Sequence, residues 1–314
     1  MKITVILCTY NRCQLLRKAL DGITASTLPD SVEWEVLVVD NNSSDHTREV
    51  VEDFCKRYPG HVRYLFERQP GKSHALSAGI RDARGDVLAF TDDDVTFEPT
   101  WLHNLTSPLR NGKYAGVGGR ILLQYPNSPP AWLPHEGPDE RLPFPSFDFG
   151  PEARELTEPL FGASMAFRKE VFDKYGLFRT DLGPSPNSDT PDCNEDVEFT
   201  NRLIAAGEKL YYEPSAVVYH PIPENRLHKQ YFLKWWFDKG RADIRAVGVE
   251  PGTKYYIEGV PLYLCRRLAV WILRWMVALK PSRRFSCKLR AWTIAGKILE
   301  CYRRSGRVYQ LAEK

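Results

Sequence analysis

The sequence contains no Cys-x-x-Cys pair. Its seven cysteines, Cys8, Cys13, Cys55, Cys193, Cys265, Cys287 and Cys301, are odd in number and scattered. That argues against a disulfide framework or a cysteine-based zinc site and favours a reducing compartment. No apolar run approaches the ~20 residues a bilayer-spanning helix requires. The most apolar stretch, Leu268–Leu279, is interrupted by Arg274 and bounded by Arg267 and Lys280. No Gly-x-Gly-x-x-Gly follows the first apolar segment, which disfavours a Rossmann dehydrogenase. Internal repeats and low-complexity tracts are also missing. The opening MKITVILCTYN has one lysine and a very short apolar run, so it reads as a first strand rather than a signal peptide.

What is present is an ordinary globular composition: 314 residues, 43% hydrophobic and 26% charged. It suits one large α/β domain with an appendage. The net charge of +3 hides an imbalance. Asn225–Lys314 holds 20 Lys and Arg against 6 Asp and Glu, so +14, which leaves −11 for residues 1–224. A basic tail on an acidic body finds its counterpart in anionic lipid, in nucleic acid or in the body itself, or is simply the outer face of ordinary helices.

The first half alternates apolar runs with helical patterns. Strands are expected at Ile3–Cys8, Trp34–Asp40, His61–Glu67 and Asp86–Phe90, with helices at Arg12–Ile23, Ser44–Arg57 and Lys72–Ala83. This alternation implies βαβ units and a mostly parallel sheet covered on both faces. Strand character returns at Phe161–Arg168 and before His220, and Asn194–Gly207 reads as a helix. Tyr125–Pro151, rich in proline and aromatics, reads as a long loop over the sheet's rim. The pattern is helical from Asn225. Leu268–Leu279 either packs on a core or lies on a membrane surface, with Trp271 and Trp275 at the interface.

Ligands of open parallel sheets bind beyond the carboxyl ends of the strands. Polar groups stand at four such ends: Thr9 to Asn11, Asp40 to Asn42, Arg68 to Lys72, and the triplet Asp92, Asp93, Asp94. Three adjacent carboxylates repel one another unless a cation neutralises them. Hard oxygen ligands favour Mg²⁺ or Mn²⁺, whose shell is completed by substrate phosphates. A solvated acidic turn or a cap for the next helix is the alternative. Asp196 opens a helix, and His220 ends a strand where a neutral imidazole can ligate a metal.

These segments resemble family 2 glycosyltransferases with the GT-A fold. The similarity is carried by VILCTYNR (Val5–Arg12), VLVVDNNSSDHT (Val36–Thr47), PGKSHALSAGI (Pro70–Ile80), GDVLAFTDDDV (Gly85–Val95), FGASMAFRKEVFDKYGLF (Phe161–Phe178) and NEDVEFTNRLIAAG (Asn194–Gly207). Six motifs in order span about residues 1–222. The resemblance implies a GT-A catalytic domain over 1–222 and a basic helical extension over 223–314. It implies Thr9, Tyr10, Asn11 and Arg12 at the nucleotide base, Asp40 accepting a hydrogen bond from a uracil, and Lys72 near base or diphosphate. In the Asp-x-Asp motif, Asp92 would hold the ribose side and join the metal site. Asp94 and His220 would complete that site, and Asp93 would fill the variable middle place. Asp196 would be the general base of an inverting transfer from a nucleoside-diphosphate sugar, UDP favoured, to a saccharide or lipid-linked hydroxyl acceptor. The expected setting is cell-surface glycan assembly, in the cytoplasm or on the cytoplasmic membrane face, with no nucleic acid.

The chain departs from the family at Ser77, where Asn is frequent, and lacks the Gln-x-x-Arg-Trp of processive synthases, so single transfer is expected. A nucleotidyltransferase on a related sheet is disfavoured because no glycine-rich basic loop follows the first strand. A non-catalytic membrane- or nucleic-acid-binding module would leave the acidic motifs without work.

Overall fold

The computed structural model describes residues 1–134, 140, 142–184 and 194–312, with side chains to 305. It divides into two units. The first comprises Met1–Gln124, Pro145–Asn187 and Glu195–Pro221, and the second Tyr125–Phe144, Ser188–Asn194 and Ile222–Lys314.

The first unit begins with β1 (Lys2–Thr9), α1 (Cys13–Thr24), β2 (Glu33–Asp40), α2 (Thr47–Arg57), β3 (Val62–Phe66), α3 (Lys72–Asp82) and β4 (Val87–Thr91). Then come β5 (Thr96–Phe97), α4 (Trp101–Thr106), β6 (Gly116–Gln124), β7 (Arg154–Leu156), β8 (Ser164–Arg168), α5 (Glu170–Tyr175), α6 (Glu195–Ala205) and β9 (Leu210–Pro221). They build a nine-stranded sheet in the order β3-β2-β1-β4-β8-β6-β9-β5, with β7 on β9. The expected strands and helices are all present, displaced by at most a few residues at their ends.

The apolar runs are buried because helices cover both faces: Val5, Ile6, Leu7, Leu37, Val38, Leu88 and Ala89 are all fully enclosed. In α1 the inward positions Cys13, Leu16, Ala19, Leu20 and Ile23 form one stripe, the period expected of an amphipathic helix. Gly79 lets α3 sit against the sheet, since a Cβ there would meet the Ile6 side chain at 2.7 Å.

Strand direction places the chemistry. β1 to β4 are parallel; β8 runs antiparallel to β4, β6 antiparallel to β8, and β9 parallel to β6. Two reversals restore the original direction. The carboxyl end of β9, with His220, therefore reaches the same rim as the carboxyl end of β4.

The second unit holds α7 (Lys229–Val247), the short antiparallel pair β10 (Tyr256–Ile257) and β11 (Val260–Pro261), α8 (Leu262–Val277) and α9 (Pro281–Ala312). Its core includes Ile244, Leu264 and Ile294. Part of the segment expected as a rim loop belongs here. Trp132 stands edge-on to Phe232 and Phe285, and Phe144 edge-on to Phe232. Trp271 and Trp275 are both half-buried towards α9, with the Arg290 guanidinium over Trp271 and the Lys288 ammonium over Trp275.

Candidate active site

A cavity of about 370 Å³ opens at the carboxyl rim of the first unit, lined by Thr9, Tyr10, Arg12, Asn41, Lys72, Asp92, Asp93, Asp94 and His220 among others. A larger one, about 810 Å³, lies at the opposite strand ends beside Met1, Asp86 and Val87. Size alone would select the second; the density of charge selects the first.

The three aspartates have different partners. Asp92 Oδ1 takes the Lys72 ammonium at 2.5 Å. Asp93 is buried, accepts the Thr9 hydroxyl at 2.7 Å and shares Arg12 with Asp94, at 3.0 and 3.1 Å. Burial pushes the Asp93 carboxyl up to about 6, against the pull of Arg12. Burial would likewise raise Asp92, but Lys72 outweighs it and holds that carboxyl below its ordinary value.

Ligand atoms of Asp92, Asp94 and His220 lie within 4.8 Å of one another. The His220 Nε2 is 3.7 Å from Asp94 Oδ1, and its Nδ1 is buried with no hydrogen-bond partner. An orphaned buried nitrogen is costly. A set of two carboxylates and an imidazole fits a divalent ion such as Mg²⁺ or Mn²⁺.

Lys72 is aimed by the turn before it. Gly71 takes φ 128°, a conformation side chains rarely adopt, and donates its N–H to Asn41 Oδ1 at 2.8 Å. The Asn41 amide also donates to the Gln69 carbonyl at 2.7 Å. Lys72 thereby reaches Asp92 on one side and Glu195 Oε1 at 3.8 Å on the other. Burial would lower its ammonium, but Asp92 and Glu195 keep it charged well above its ordinary range.

Asp196 accepts N–H groups of Gly162 and Val197, both at 2.8 Å, so both carboxylate oxygens are held by main chain. Burial raises its pKa despite these donors. A Cβ at Gly162 would sit 3.5 Å from both Asp196 Oδ2 and Lys72 Nζ, which places this carboxylate beside the lysine.

Three expected residues, Asp196, Asp40 and Asn11, stand apart from the cavity lining. Asp40 is buried, with Tyr64 Oη on one oxygen at 2.8 Å and the Ser43 N–H on the other at 2.9 Å. Asn11, at φ 52°, receives the Ser44 N–H at 2.7 Å and ties the loop after β1 to that after β2. Ser77 is buried on α3 with an unpartnered hydroxyl. The motif reading left out Glu195, Asn41 and Cys8. Glu195 was visible as the neighbour of Asp196, and Asn41 as the neighbour of Asp40. Cys8 gives no signal; burial pushes its thiol up to about 12, so it stays protonated.

The family profile for glycosyl transferase family 2 matches residues 4–176. The chain belongs to that family. It is 29% identical over 272 residues to glycosyltransferase AglE of Haloferax volcanii, covering 86% of this chain and 80% of that protein. It is 28% identical to the glucosyl-dolichyl phosphate glucuronosyltransferase of the same organism, over 75% of each. A mannosyltransferase from Pyrobaculum calidifontis, solved with GDP-Man and Mn²⁺, superposes with a TM-score of 0.55 at 18% identity, covering 99% of this chain and 79% of that one. The fold is thus that of the GT-A glycosyltransferases, and this family 2 member is an enzyme of the glycosyltransferase class.

Proposed function

We propose that this family 2 enzyme transfers a hexosyl group, with inversion, from a nucleoside-diphosphate sugar to a hydroxyl of a saccharide or lipid-linked acceptor. The process served is cell-surface glycan assembly, on the cytoplasmic face of a membrane that the basic C-terminal helices meet. The observation that carries the reading is the adjacency, through Lys72, of the Asp92–Asp94–His220 cluster and Asp196. Dolichyl phosphate in the name of one Haloferax relative supports a lipid-linked acceptor. UDP is the favoured donor nucleotide on the resemblance around Asp40. The mannosyltransferase neighbour holds GDP-Man, so a donor screen pairs UDP- and GDP-sugars.

Asp92, Asp94 and His220, the Asp-x-Asp pair and its imidazole, would hold a divalent ion, which would supply charge stabilisation to a departing diphosphate. The chain's own groups do the rest. Thr9, Tyr10 and Arg12 line the nucleotide side. Lys72 holds a positive charge between Asp92 and the two carboxylates of α6. Asp196 takes the acceptor's proton. Its raised pKa makes it a stronger base than an ordinary aspartate, and its main-chain donors fix its orientation beforehand. Attack on the face opposite the diphosphate inverts the anomeric carbon.

Asp196→Asn should lower kcat by about 10²–10⁴-fold, with Mn²⁺-assisted nucleoside-diphosphate binding, measured by calorimetry, near that of the parent. Full turnover by the variant would reject the base assignment. Failure of the parent to bind any nucleoside diphosphate with Mn²⁺ or Mg²⁺ would reject the reading itself.

A further inference from the structure

Between Glu258 and Glu300 the sequence has nine Lys and Arg and no carboxylate. This stretch contains all of α8 and the first part of α9. Only Leu264 of α8 is buried. The opposite stripe, Val270, Leu273 and Val277 at i, i+3 and i+7, is exposed, and the turn that follows ends on Leu279, which is 95% exposed. Leaving such a continuous aliphatic ridge in water is unfavourable, and large exposed patches of this kind mark interaction surfaces.

Two clefts meet at Leu279. One, about 370 Å³, is lined by Lys229, Trp275, Arg284 and Lys288 among others; the second, about 650 Å³, by Trp271, Arg274, Lys280 and Arg283 among others. Among the described residues, Arg266, Arg274, Lys280, Arg283, Arg284 and Lys288 have no carboxylate within ion-pair distance. By contrast Arg267 pairs with Glu250 and Lys297 with Asp243. The corner between α8 and α9 is thus an aliphatic tip inside a collar of unpaired cations. No helix among the described residues is long and apolar enough to cross a membrane.

We propose that the α8–α9 corner docks on an anionic lipid surface. Leu273, Val277 and Leu279 enter the acyl boundary, and the collar of arginines and lysines sits on the headgroup phosphates. This rests on the reading that the C-terminal helices meet a membrane, and it assigns the face and the lipid chemistry. Charge complementarity selects this occupant. A second copy of the chain would set cation collar against cation collar, and nucleic acid has no use for an aliphatic ridge. An interfacial helix gains from buried apolar area, while each cation near an anionic surface adds a comparable, salt-sensitive increment.

The test is sedimentation of the full-length protein with phosphatidylcholine vesicles, with and without a third of phosphatidylglycerol, across a salt series. The parent should pellet with the anionic vesicles, weakly with the neutral ones, and keep part of its binding at high salt. The triple variant Leu273→Ser, Val277→Ser, Leu279→Ser should lose at least tenfold in partitioning, with unchanged circular dichroism. Arg283→Gln with Arg284→Gln and Lys288→Gln should lose the preference for phosphatidylglycerol. If the serine variant partitions like the parent, the protein meets membranes by another face and this assignment falls. No binding by the parent removes both face and membrane contact. A concentration-dependent dimer in the ultracentrifuge that the serine variant abolishes assigns the ridge to self-association and overturns the proposal. Sugar transfer to a soluble acceptor, assayed on the same samples, tests the enzyme reading separately.

Discussion

Glu195 and Asp196 are consecutive carboxylates at the start of α6, and both resist ionisation because both are withdrawn from water. Burial, helped by the charge of Asp196, pushes Glu195 up to about 7, and Lys72 only partly offsets it. A carboxyl that holds its proton more tightly in the fold than in the unfolded chain favours the fold at low pH. The contribution is complete below about pH 4.3 and is lost as pH rises through the folded value near 7. Glu195→Gln removes that titration. Its stability relative to the parent should rise by roughly 1–3 kcal/mol between pH 5 and pH 8, read from urea midpoints; an offset independent of pH would mean that Glu195 ionises normally. Sequence reading found Asp92, Asp94 and His220 because each stands at a strand's carboxyl end, a position that periodicity exposes. Glu195 escaped it because its approach to Lys72 is set by how α6 packs against the start of α3, a non-local contact with no signature in the string. The hydrogen bonds that occupy Asp40 were equally hidden, since Tyr64 meets it across the β2–β3 pairing rather than along the chain.

At the scale of elements, the parallel half of the sheet was legible strand by strand, because doubly covered strands leave continuous apolar runs. The mixed half was not. Choosing β8 rather than β6 as the neighbour of β4 is a non-local decision, and the register shift between Gly119 and Arg120 has no local signature. The crossing of α7 and α9 was also unreadable. Gly240 lies against the Thr293 carbonyl and Gly296 against the Phe237 carbonyl, so each helix offers a glycine where the other's backbone comes closest. Glycine in a helix is ordinarily a weakness, and alanine would gain up to about 1 kcal/mol. Here the sign reverses. A Cβ at either position collides with main chain that cannot rotate away, so Gly240→Ala or Gly296→Ala should each destabilise by roughly 1–3 kcal/mol. Calorimetric melting decides it: a raised Tm in either variant would show that the helices are not in backbone contact.

For the whole molecule, the division is discontinuous. A sequence cut after residue 222 lies one residue from the observed end of the first unit, but Tyr125–Phe144 joins the second unit. Prolines and aromatics without periodicity gave no hint of that allegiance. Truncation after Pro221 should consequently leave Trp132 and Phe144 without Phe232, Tyr231 and Phe285. The shortened chain should bind a hydrophobic dye and aggregate, and Trp132→Ser with Phe144→Ser should restore solubility. A truncated chain as soluble as the parent would show that this segment packs elsewhere. The same discontinuity sets a schedule for biosynthesis. Phe144 leaves the ribosome about 90 residues ahead of Phe232, roughly 5–20 s at ordinary elongation rates. During that interval the sheet can close while the excursion stays uncovered, which makes this strap the natural client of a chaperone on the nascent chain.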